Sequence, residues 1–272
     1  MASSAATVRS SPRSSDPAPV PEPRPAIVCQ GVTKIFYWYA HRTTSLRELF
    51  RRHLLRRPIH VRHPRFSLHG LDLRIEEGEG VALLGSNGSG KSTVLRLLAG
   101  IYQPTEGTIQ VRGRVGTVLE LGAGFHPELT GEENLALYGA MLGLGGREMA
   151  ERTPEILDFA ELGDFISMPV KYWSSGMQAR LSFATAVCVE PDILLMDEVL
   201  AVGDQAFRER CFERLRAFKA RGGTLVAVTH DPEGIEELCP RAVWLEAGEV
   251  RMEGPTSEVV AAYARHDGRG GG

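Results

Sequence analysis

Residues 85–92 read Gly-Ser-Asn-Gly-Ser-Gly-Lys-Ser and fit the pattern G-x-x-x-x-G-K-[ST]. An apolar segment of strand length, 80–84, precedes them, and a segment with apolar residues at helical spacing, 91–98, follows. A strand, a glycine-rich loop and a helix in this order form a phosphate-binding loop. This feature, called the phosphate loop below, predicts an α/β fold with an anion site at the end of strand 80–84.

Each residue type in the phosphate loop suits the binding of phosphate. Backbone N–H groups and the N-terminus of the following helix attract phosphate oxygens. Lys91 adds a positive charge beside them, and the hydroxyl of Ser92 is a suitable ligand for Mg²⁺. The candidate nucleotide-binding residues here are Gly85, Ser86, Asn87, Gly88, Ser89, Gly90, Lys91, Ser92 and Thr93.

Three polar residues follow two other apolar segments. Segment 192–196 runs into Asp197 and Glu198, and His230 follows the predicted strand 225–229. Each of these three residues could also be an ordinary solvent-exposed residue at the end of a strand. Beside a phosphate loop, we interpret Asp197 as a magnesium ligand through water, Glu198 as the base that polarises the attacking water, and His230 as a γ-phosphate contact.

Segment 172–178, Tyr-Trp-Ser-Ser-Gly-Met-Gln, precedes a helical run over 179–188. We call it the signature segment. Its small hydroxyl residues and exposed N–H groups at a helix N-terminus fit two interpretations, an ordinary Ser N-cap and an anion site without a lysine. The segment by itself does not decide between them.

The nucleotide base is predicted to be adenine. A GTPase would carry an Asn- or Thr-Lys-x-Asp guanine reader, and the near match at 33–36, Thr-Lys-Ile-Phe, lacks the Asp. The predicted cofactors are therefore ATP and Mg²⁺.

Composition limits the class of protein. With 272 residues, 43% of them hydrophobic, the chain is long enough for one large domain with a subdomain. No apolar stretch approaches the roughly 20 residues of a transmembrane helix, so we expect no membrane span. The four cysteines form no C-x-x-C pair, which predicts neither a zinc site nor disulfides and favours a reducing cytoplasm.

Charge is distributed unevenly along the chain. Residues 1–66 hold 12 Arg or Lys against three acidic residues, whereas the remainder holds 19 against 31. Within 40–65, Ser45 and Glu48 form a capping-box pattern, followed by apolar residues at helical spacing among arginines. We predict a basic helical insertion there, whose charge fits phospholipid headgroups and nucleic acid equally.

The predicted layout has three parts. Residues 1–25, rich in Ser, Ala and Pro, are expected to be a disordered tail, and 268–272 a flexible Gly-rich end. Residues 26–267 are expected to form the folded domain, with helical structure over about 126–186. Predicted strands cover 26–36, a segment from about Phe66, 80–84, 108–111, 115–121, 193–196 and 224–228.

Together these segments resemble the ABC transporter ATPase family over about residues 26–263. The resemblance implies a P-loop NTPase fold with a RecA-like core sheet, an antiparallel β subdomain and a helical subdomain. It also implies a homodimer in which two copies pair head to tail. A separate integral membrane permease is expected to dock in the groove near residues 120–130.

The resemblance assigns further nucleotide contacts. In the head-to-tail dimer, Ser174, Ser175, Gly176 and Met177 of one copy would complete the site at Lys91 of the other. Asp204 would belong to a loop crossing the dimer interface, and Phe36 or Tyr37 would stack on adenine. Glu120 stands where the family generally has glutamine.

Two segments, together with the basic insertion before the phosphate loop, resemble the polysaccharide-export branch of the family. Trp173-Ser-Ser-Gly-Met replaces the usual Leu-Ser-Gly-Gly-Gln, and residues 119–134 read Leu-Glu-Leu-Gly-Ala-Gly-Phe-His-Pro-Glu-Leu-Thr-Gly-Glu-Glu-Asn. The branch implies a lipid-linked glycan as substrate and a position at the cytoplasmic face of the inner (plasma) membrane, peripheral through the permease. The arginines of the insertion are one hypothetical contact for a lipid-linked pyrophosphate.

Other assignments fit less well. A transporter ATPase for another cargo shares the catalytic motifs and is the nearest alternative. A ribosome-acting ABC ATPase is expected to hold two phosphate loops, and a DNA-repair ATPase a long coiled coil, whereas one loop and no sustained heptads occur here. No nucleic-acid partner is therefore predicted.

Overall fold

The computed structural model describes residues 24–39, 62–119, 125–197, 204–229 and 234–267, which are organised by two β-sheets. The larger sheet has six strands in the order β5-β6-β7-β3-β8-β9. From β5 to β8 all neighbours are parallel, and β9 is antiparallel to β8. Its strands are β3 Gly80–Leu84, β5 Val115–Val118, β6 Ile193–Asp197, β7 Thr224–Val228, β8 Arg241–Glu246 and β9 Glu249–Pro255.

Successive side chains of the central strands enter two different cores. In β3, Val81 and Leu83 belong to one hydrophobic cluster, whereas Ala82 and Leu84 belong to the other. All residues of β3 and β7 are buried, as expected for parallel strands covered on both faces. The sheet therefore needs a layer of structure on either side.

One layer combines an antiparallel sheet with a helix. Its three strands, in the order β2-β1-β4, are β1 Pro25–Tyr39, β2 Arg62–Glu76 and β4 Glu106–Val111. Helix α1, Lys91–Leu98, has the bounds that its apolar spacing predicts and buries Val94, Leu95, Leu97 and Leu98 in the same core.

The antiparallel sheet corrects four predicted bounds. Strand β1 continues to Tyr39 rather than 36, and β4 begins at Glu106 rather than 108. Strand β2 begins at Arg62, so the last four residues of the predicted insertion, 62–65, are strand. Strand β1 begins at Pro25, which was assigned to the tail. Pairing from Pro25↔Glu76 to Tyr39↔Arg62 extends both strands, and Pro64 is tolerated because β2 is an edge strand of its sheet.

The other layer is helical. It includes the predicted helical stretch, which contains α2 Gly131–Met141, α3 Gly146–Ala160, two short 3-10 turns at Gly163–Ser167 and Val170–Tyr172, and α4 Ser175–Cys188. Helices α5, Gln205–Ala220, and α6, Thr256–Asp267, follow later in the chain. The predicted α/β fold is confirmed, although the sequence prediction does not include β8, β9, α5 or α6.

The four cysteines are buried and free in this fold. Burial raises the pKa of Cys29, Cys211 and Cys239 to about 12 and that of Cys188 to about 11. Among the described residues, no helix has the length and hydrophobicity needed to cross a bilayer. Most of the predicted tail and basic insertion, and the Gly-rich end, lie outside the described residues.

Candidate functional site

The phosphate loop is fitted tightly between β2 and β8. Gly85 and Gly90 have φ values of 141° and 112°, which side chains disfavour. A Cβ on Gly90 would lie 2.7 Å from the carbonyl oxygen of Ser67, and one on Gly85 would lie 2.2 Å from that of Leu245. The close approach of neighbouring backbone therefore requires glycine at both ends of the loop.

The N-terminus of α1 has no side-chain cap and no acidic residue in its first turn. The first N–H groups of a helix have no partner within it and carry a partial positive charge. Ser86, Asn87 and Gly88, on the preceding part of the loop, are exposed. This arrangement suits the binding of an anion such as phosphate.

Lys91 is 6% exposed, and its ammonium is held against the loop. Its Nζ donates to the carbonyl oxygens of Gly85 at 2.6 Å and Ser86 at 3.1 Å. These hydrogen bonds fix a positive charge where the open N-terminus of α1 already favours an anion. The structure thus brings the lysine, the loop and the helix terminus together.

The hydroxyl residues of the loop have different surroundings. Ser89 Oγ is buried without a hydrogen-bond partner, and its carbonyl accepts from Gly248 N at 3.0 Å. Thr93 Oγ1 is 2.7 Å from Ser67 Oγ, so this hydroxyl ties α1 to β2. Ser92, between them, is partly exposed.

Sheet register places Asp197 at the same edge as the phosphate loop. Asp197 is opposite Val228 of β7, and Val228 is opposite Leu83 of β3. Two strand spacings separate the backbones of Asp197 and Leu83 by roughly 10 Å. Glu198, His230 and Glu120 lie outside the described residues.

The signature segment forms a helix start whose outer side is open. Ser174 is the N-cap of α4, and its Oγ accepts from Met177 N at 3.2 Å. Buried Trp173 packs against Gly131, where a Cβ would lie 2.5 Å from the indole ring. Ser174 and Ser175 are exposed, and a Cβ on Gly176 would contact only Ser174 Oγ, at 3.8 Å. Contacts within the protomer therefore do not require glycine at 176.

Asp204 makes two contacts within the protomer. It is the N-cap of α5, where Oδ1 accepts from Phe207 N at 2.8 Å, and its Oδ2 accepts from Arg180 Nη2 at 2.7 Å. The hydrogen bond from Phe207 N and the charge of Arg180 lower the pKa of this carboxyl, which keeps it ionised.

Both candidate adenine-stacking rings lie on β1 close to the phosphate loop. Phe36 and Tyr37 follow Ile35, which pairs with Phe66 of β2, and the next residue, Ser67, borders Gly90. Phe36 is 36% exposed and meets Tyr102 edge-on at 5.3 Å, whereas Tyr37 is 49% exposed. Phe36 and Tyr37 are successive residues of β1, so their side chains lie on opposite faces of the antiparallel sheet, and the choice between the two rings stays open.

Sequence reasoning missed four residues around these segments. Ser67, Leu245 and Gly248 touch the phosphate loop from β2, β8 and the turn after β8. Arg180 joins the helix of the signature segment to Asp204. None of these four residues belongs to a sequence motif, because they meet the candidate site only in the folded chain. For Arg180 the sequence offers one signal, since it lies six residues after Ser174 and therefore on the same helix.

Comparison with known proteins shows the family. A family model for ABC transporters matches residues 68–201. The O-antigen export system ATP-binding protein RfbB of Klebsiella pneumoniae is 41% identical over 250 residues, covering 88% of this chain and 97% of that protein. The chain belongs to the ABC transporter family.

Two further relatives of this ABC chain are longer. RfbB of Myxococcus xanthus is 44% identical over 247 residues, which are 90% of this chain but 56% of that protein. The teichoic acids export ATP-binding protein TagH of Bacillus cereus is 38% identical over 86% of this chain and 41% of that protein. The ABC chain thus spans about half the length of these two curated relatives.

A solved structure confirms the ABC ATPase fold. A dimeric ATP-binding cassette in a post-hydrolysis state, bound to ADP and Pi, is 26% identical with a TM-score of 0.67, and the match covers 85% of this chain and 98% of the cassette. The family match and this cassette together confirm the prediction that the chain contains an ATP-binding ABC ATPase domain.

Proposed function

We propose that this ABC ATPase dimerises and powers export of a lipid-linked polysaccharide through a separate integral membrane permease. The proposal depends on one observation. A protomer carries two separate half-sites that each suit the binding of an anion, the phosphate loop and the exposed start of α4. Relatives named for O-antigen and teichoic acid export support the cargo class. The ATPase would work at the cytoplasmic face of the inner (plasma) membrane, held there by the permease.

Each part of the proposed site has a role that its chemistry supports. The phosphate loop and Lys91 bind the phosphates of ATP, and an aromatic ring of β1 stacks on adenine. Ser92 and Asp197 offer the hard oxygen donors that Mg²⁺ prefers, and bound Mg²⁺ supplies neutralising charge between phosphates. Glu198 accepts a proton from the attacking water, and His230 contacts the γ-phosphate.

The half-site at Ser174 is proposed to complete the ATP site of a second copy. Its serines are exposed, and the N-terminus of α4 carries no lysine of its own. A helix N-terminus with small residues allows another molecule's phosphate to approach the backbone closely. A head-to-tail dimer would place this terminus across from the partner's phosphate loop.

Gly176→Ala is expected to weaken ATP-dependent dimerisation on the order of 10-fold, because an added methyl overpacks a closed interface. The same change leaves the protomer intact, since a Cβ there meets only Ser174 Oγ. Helical alanine instead favours folding by about 0.5–1 kcal/mol. Sedimentation with ATP in a Glu198→Gln background measures dimerisation, and thermal unfolding measures stability.

Gly146→Ala is the matched control for this test. Gly146 is in the first turn of α3, and a Cβ there meets nothing within 4 Å. Its dimerisation should equal that of the unmodified protein. Unchanged dimerisation of Gly176→Ala would show that this helix start does not contact a partner.

Exposed apolar side chains support a docking surface for the permease on the helical layer. Within the described residues, five of the eight exposed large hydrophobic side chains lie between 137 and 172, namely Leu137, Met141, Phe165, Met168 and Tyr172. The predicted groove adjoins this region, since Val170 N donates to Leu129 O and Lys171 N to Pro127 O, each at 3.0 Å. Exposed apolar side chains next to the groove are candidate contacts for a protein partner.

The decisive test follows the cargo in cells whose sole copy of the gene encodes Glu198→Gln. If the ATPase drives export, lipid-linked glycan accumulates inside the cell and surface glycan is lost, because turnover is blocked in a folded protein. Radiolabelled glycan in inner-membrane extracts, together with surface staining, measures both pools.

The alternative function, transport of another cargo, predicts a different outcome. Both glycan pools would then match those of cells with the unmodified protein, although purified Glu198→Gln protein still fails to hydrolyse ATP. No nucleic acid enters either function. The proposed contact between the basic insertion and a lipid-linked pyrophosphate is tested by the same two pools in cells carrying Arg51, Arg52, Arg56 and Arg57 replaced by Gln.

A further inference from the structure

Two arginines and two carboxylates meet where α3 ends, α4 passes and α5 begins. The guanidinium of Arg180, on α4, donates to Asp204 Oδ2 at 2.7 Å and to Glu161 Oε2 at 3.4 Å. Glu161 Oε1 accepts from Arg210 Nη1, on α5, at 2.6 Å. One cluster therefore joins three helices through their charged groups.

The arginines of this cluster are held by packing as well as by charge. The guanidinium carbon of Arg180 lies 4.7 Å from the ring centre of Phe207, and that of Arg210 lies 5.5 Å from it. Phe207 is 2% exposed and the side chain of Arg180 is 19% exposed. A planar guanidinium stacked on a buried ring and bonded at its edge has one preferred orientation.

Glu161 ends α3 in a left-handed backbone conformation. Glu161 has a φ of 50°, the left-handed conformation that residues with side chains rarely adopt, and it is the C-cap of α3. Such a conformation costs about 1–3 kcal/mol and persists where surrounding contacts hold it. From this position the Glu161 carboxylate accepts hydrogen bonds from both arginines.

The cluster connects two parts of the chain that act on nucleotide. Arg180 is six residues after Ser174 on α4, so about 9 Å along the helix separates it from the exposed serines. Asp204 ends the segment that follows Asp197 and contains Glu198. The guanidinium of Arg180 thus links the helix of the signature segment directly to Asp204, at the end of the segment that contains Glu198.

We propose that Arg180 is a positioning residue that couples the two ATP sites of the dimer. This inference depends on the proposed head-to-tail dimer, in which the start of α4 serves the partner's ATP while Asp197 and Glu198 serve the protomer's own. By fixing α4 against Asp204, Arg180 makes closure at one site favour the catalytic arrangement at the other. The coupling appears as cooperative ATP hydrolysis.

A purely stabilising role predicts different behaviour. The carboxylates of Glu161 and Asp204 are 56% and 63% exposed, and ion pairs this exposed contribute little to stability. Because the Arg180 side chain is 19% exposed and packs on buried Phe207, removing its guanidinium should lower the unfolding temperature in either case, whereas only a coupling role predicts a fall in the Hill coefficient. Measuring both the Hill coefficient and the unfolding temperature distinguishes a coupling role from a stabilising one.

The test compares Arg180→Gln with the unmodified protein. We expect the Kd for ATP at protein concentrations that keep the chain monomeric to change less than about twofold. We expect the Hill coefficient of hydrolysis to fall to about 1, and kcat to fall on the order of 10-fold, as loss of a typical coupling energy predicts. Fluorescent-nucleotide titration and steady-state ATPase assays measure these quantities.

Arg152→Gln is the control, and Glu161→Gln is a second variant if Arg180→Gln folds poorly. Arg152 is 26% exposed and pairs with Glu190 at 2.7 Å, away from Asp204, so it should keep full cooperativity. Glu161→Gln, which leaves the pair of Arg180 with Asp204, should lower the Hill coefficient partly. Cooperative hydrolysis retained in both cluster variants overturns the inference. An unmodified protein that neither dimerises nor hydrolyses cooperatively instead overturns the proposed dimer.

Discussion

Replacing Glu198 with Gln is expected to reduce the kcat for ATP hydrolysis on the order of 10²-fold to 10⁴-fold, the usual contribution of a general base. Glutamine has nearly the same size but cannot accept the proton of the attacking water. The Kd for ATP should stay within about threefold, because the phosphate loop and Lys91 are unchanged. Phosphate release and equilibrium nucleotide binding measure the two effects separately.

A matched control for this substitution is Glu246→Gln. Glu246 ends β8 at the same carboxyl edge of the parallel sheet and pairs with Arg251. Because its partners are Arg251 on β9 and His266 on α6 rather than the nucleotide, turnover should be kept within about twofold. Hydrolysis at a near-normal rate by Glu198→Gln would assign the base to another residue.

Replacing Lys91 with Ala is expected to raise the Kd for ATP by roughly 10-fold to 150-fold, since hydrogen bonds to charged groups contribute about 1.5–3 kcal/mol. The substitution removes the positive charge at the loop and the hydrogen bonds from Nζ to Gly85 and Ser86. Both losses weaken the phosphate site before any chemistry occurs. Isothermal titration with a non-hydrolysable ATP analogue measures the change.

Lys219→Ala controls for the loss of a lysine that donates to backbone and is partly buried. Lys219 Nζ also donates to a glycine carbonyl, that of Gly78, at 2.5 Å, and burial lowers the pKa of this ammonium. It lies on α5, where α5 meets the turn before β3. Its removal should lower stability without changing ATP affinity. Equal losses of affinity in both variants would show that Lys91 acts through folding alone.

Local patterns predicted the parts of the fold that position the nucleotide. Strand β3, helix α1 and strand β7 have the predicted bounds because local patterns determine them. These patterns are apolar runs in the two strands, apolar residues at helical spacing in α1 and the glycine-rich loop between β3 and α1. The start of β2 was placed four residues late, since Arg62, His63, Pro64 and Arg65 resemble a loop, and only pairing with β1 makes them a strand. Strands β8 and β9 were not predicted, although β8 contains the apolar run 242–245 and β9 alternates polar and apolar residues.

In the candidate site, too, local motifs could be predicted, whereas contacts between distant residues could not. The phosphate loop and the signature segment are contiguous motifs, so their residues were found directly. The contacts of Leu245 with Gly85 and of Arg180 with Asp204 join residues far apart in the chain. Such pairs are set by how strands and helices pack, which no short sequence pattern records.

The buried cysteines make this protein convenient for thiol chemistry. With pKa values raised to about 11 or 12, Cys29, Cys188, Cys211 and Cys239 hold almost no thiolate at neutral pH, and the thiolate is the reactive form. A cysteine introduced at an exposed position such as Ser175 would react with maleimide far faster than any of them. A spectroscopic reporter of closure can therefore be attached without first removing the natural thiols, and mild oxidants should leave the native core intact.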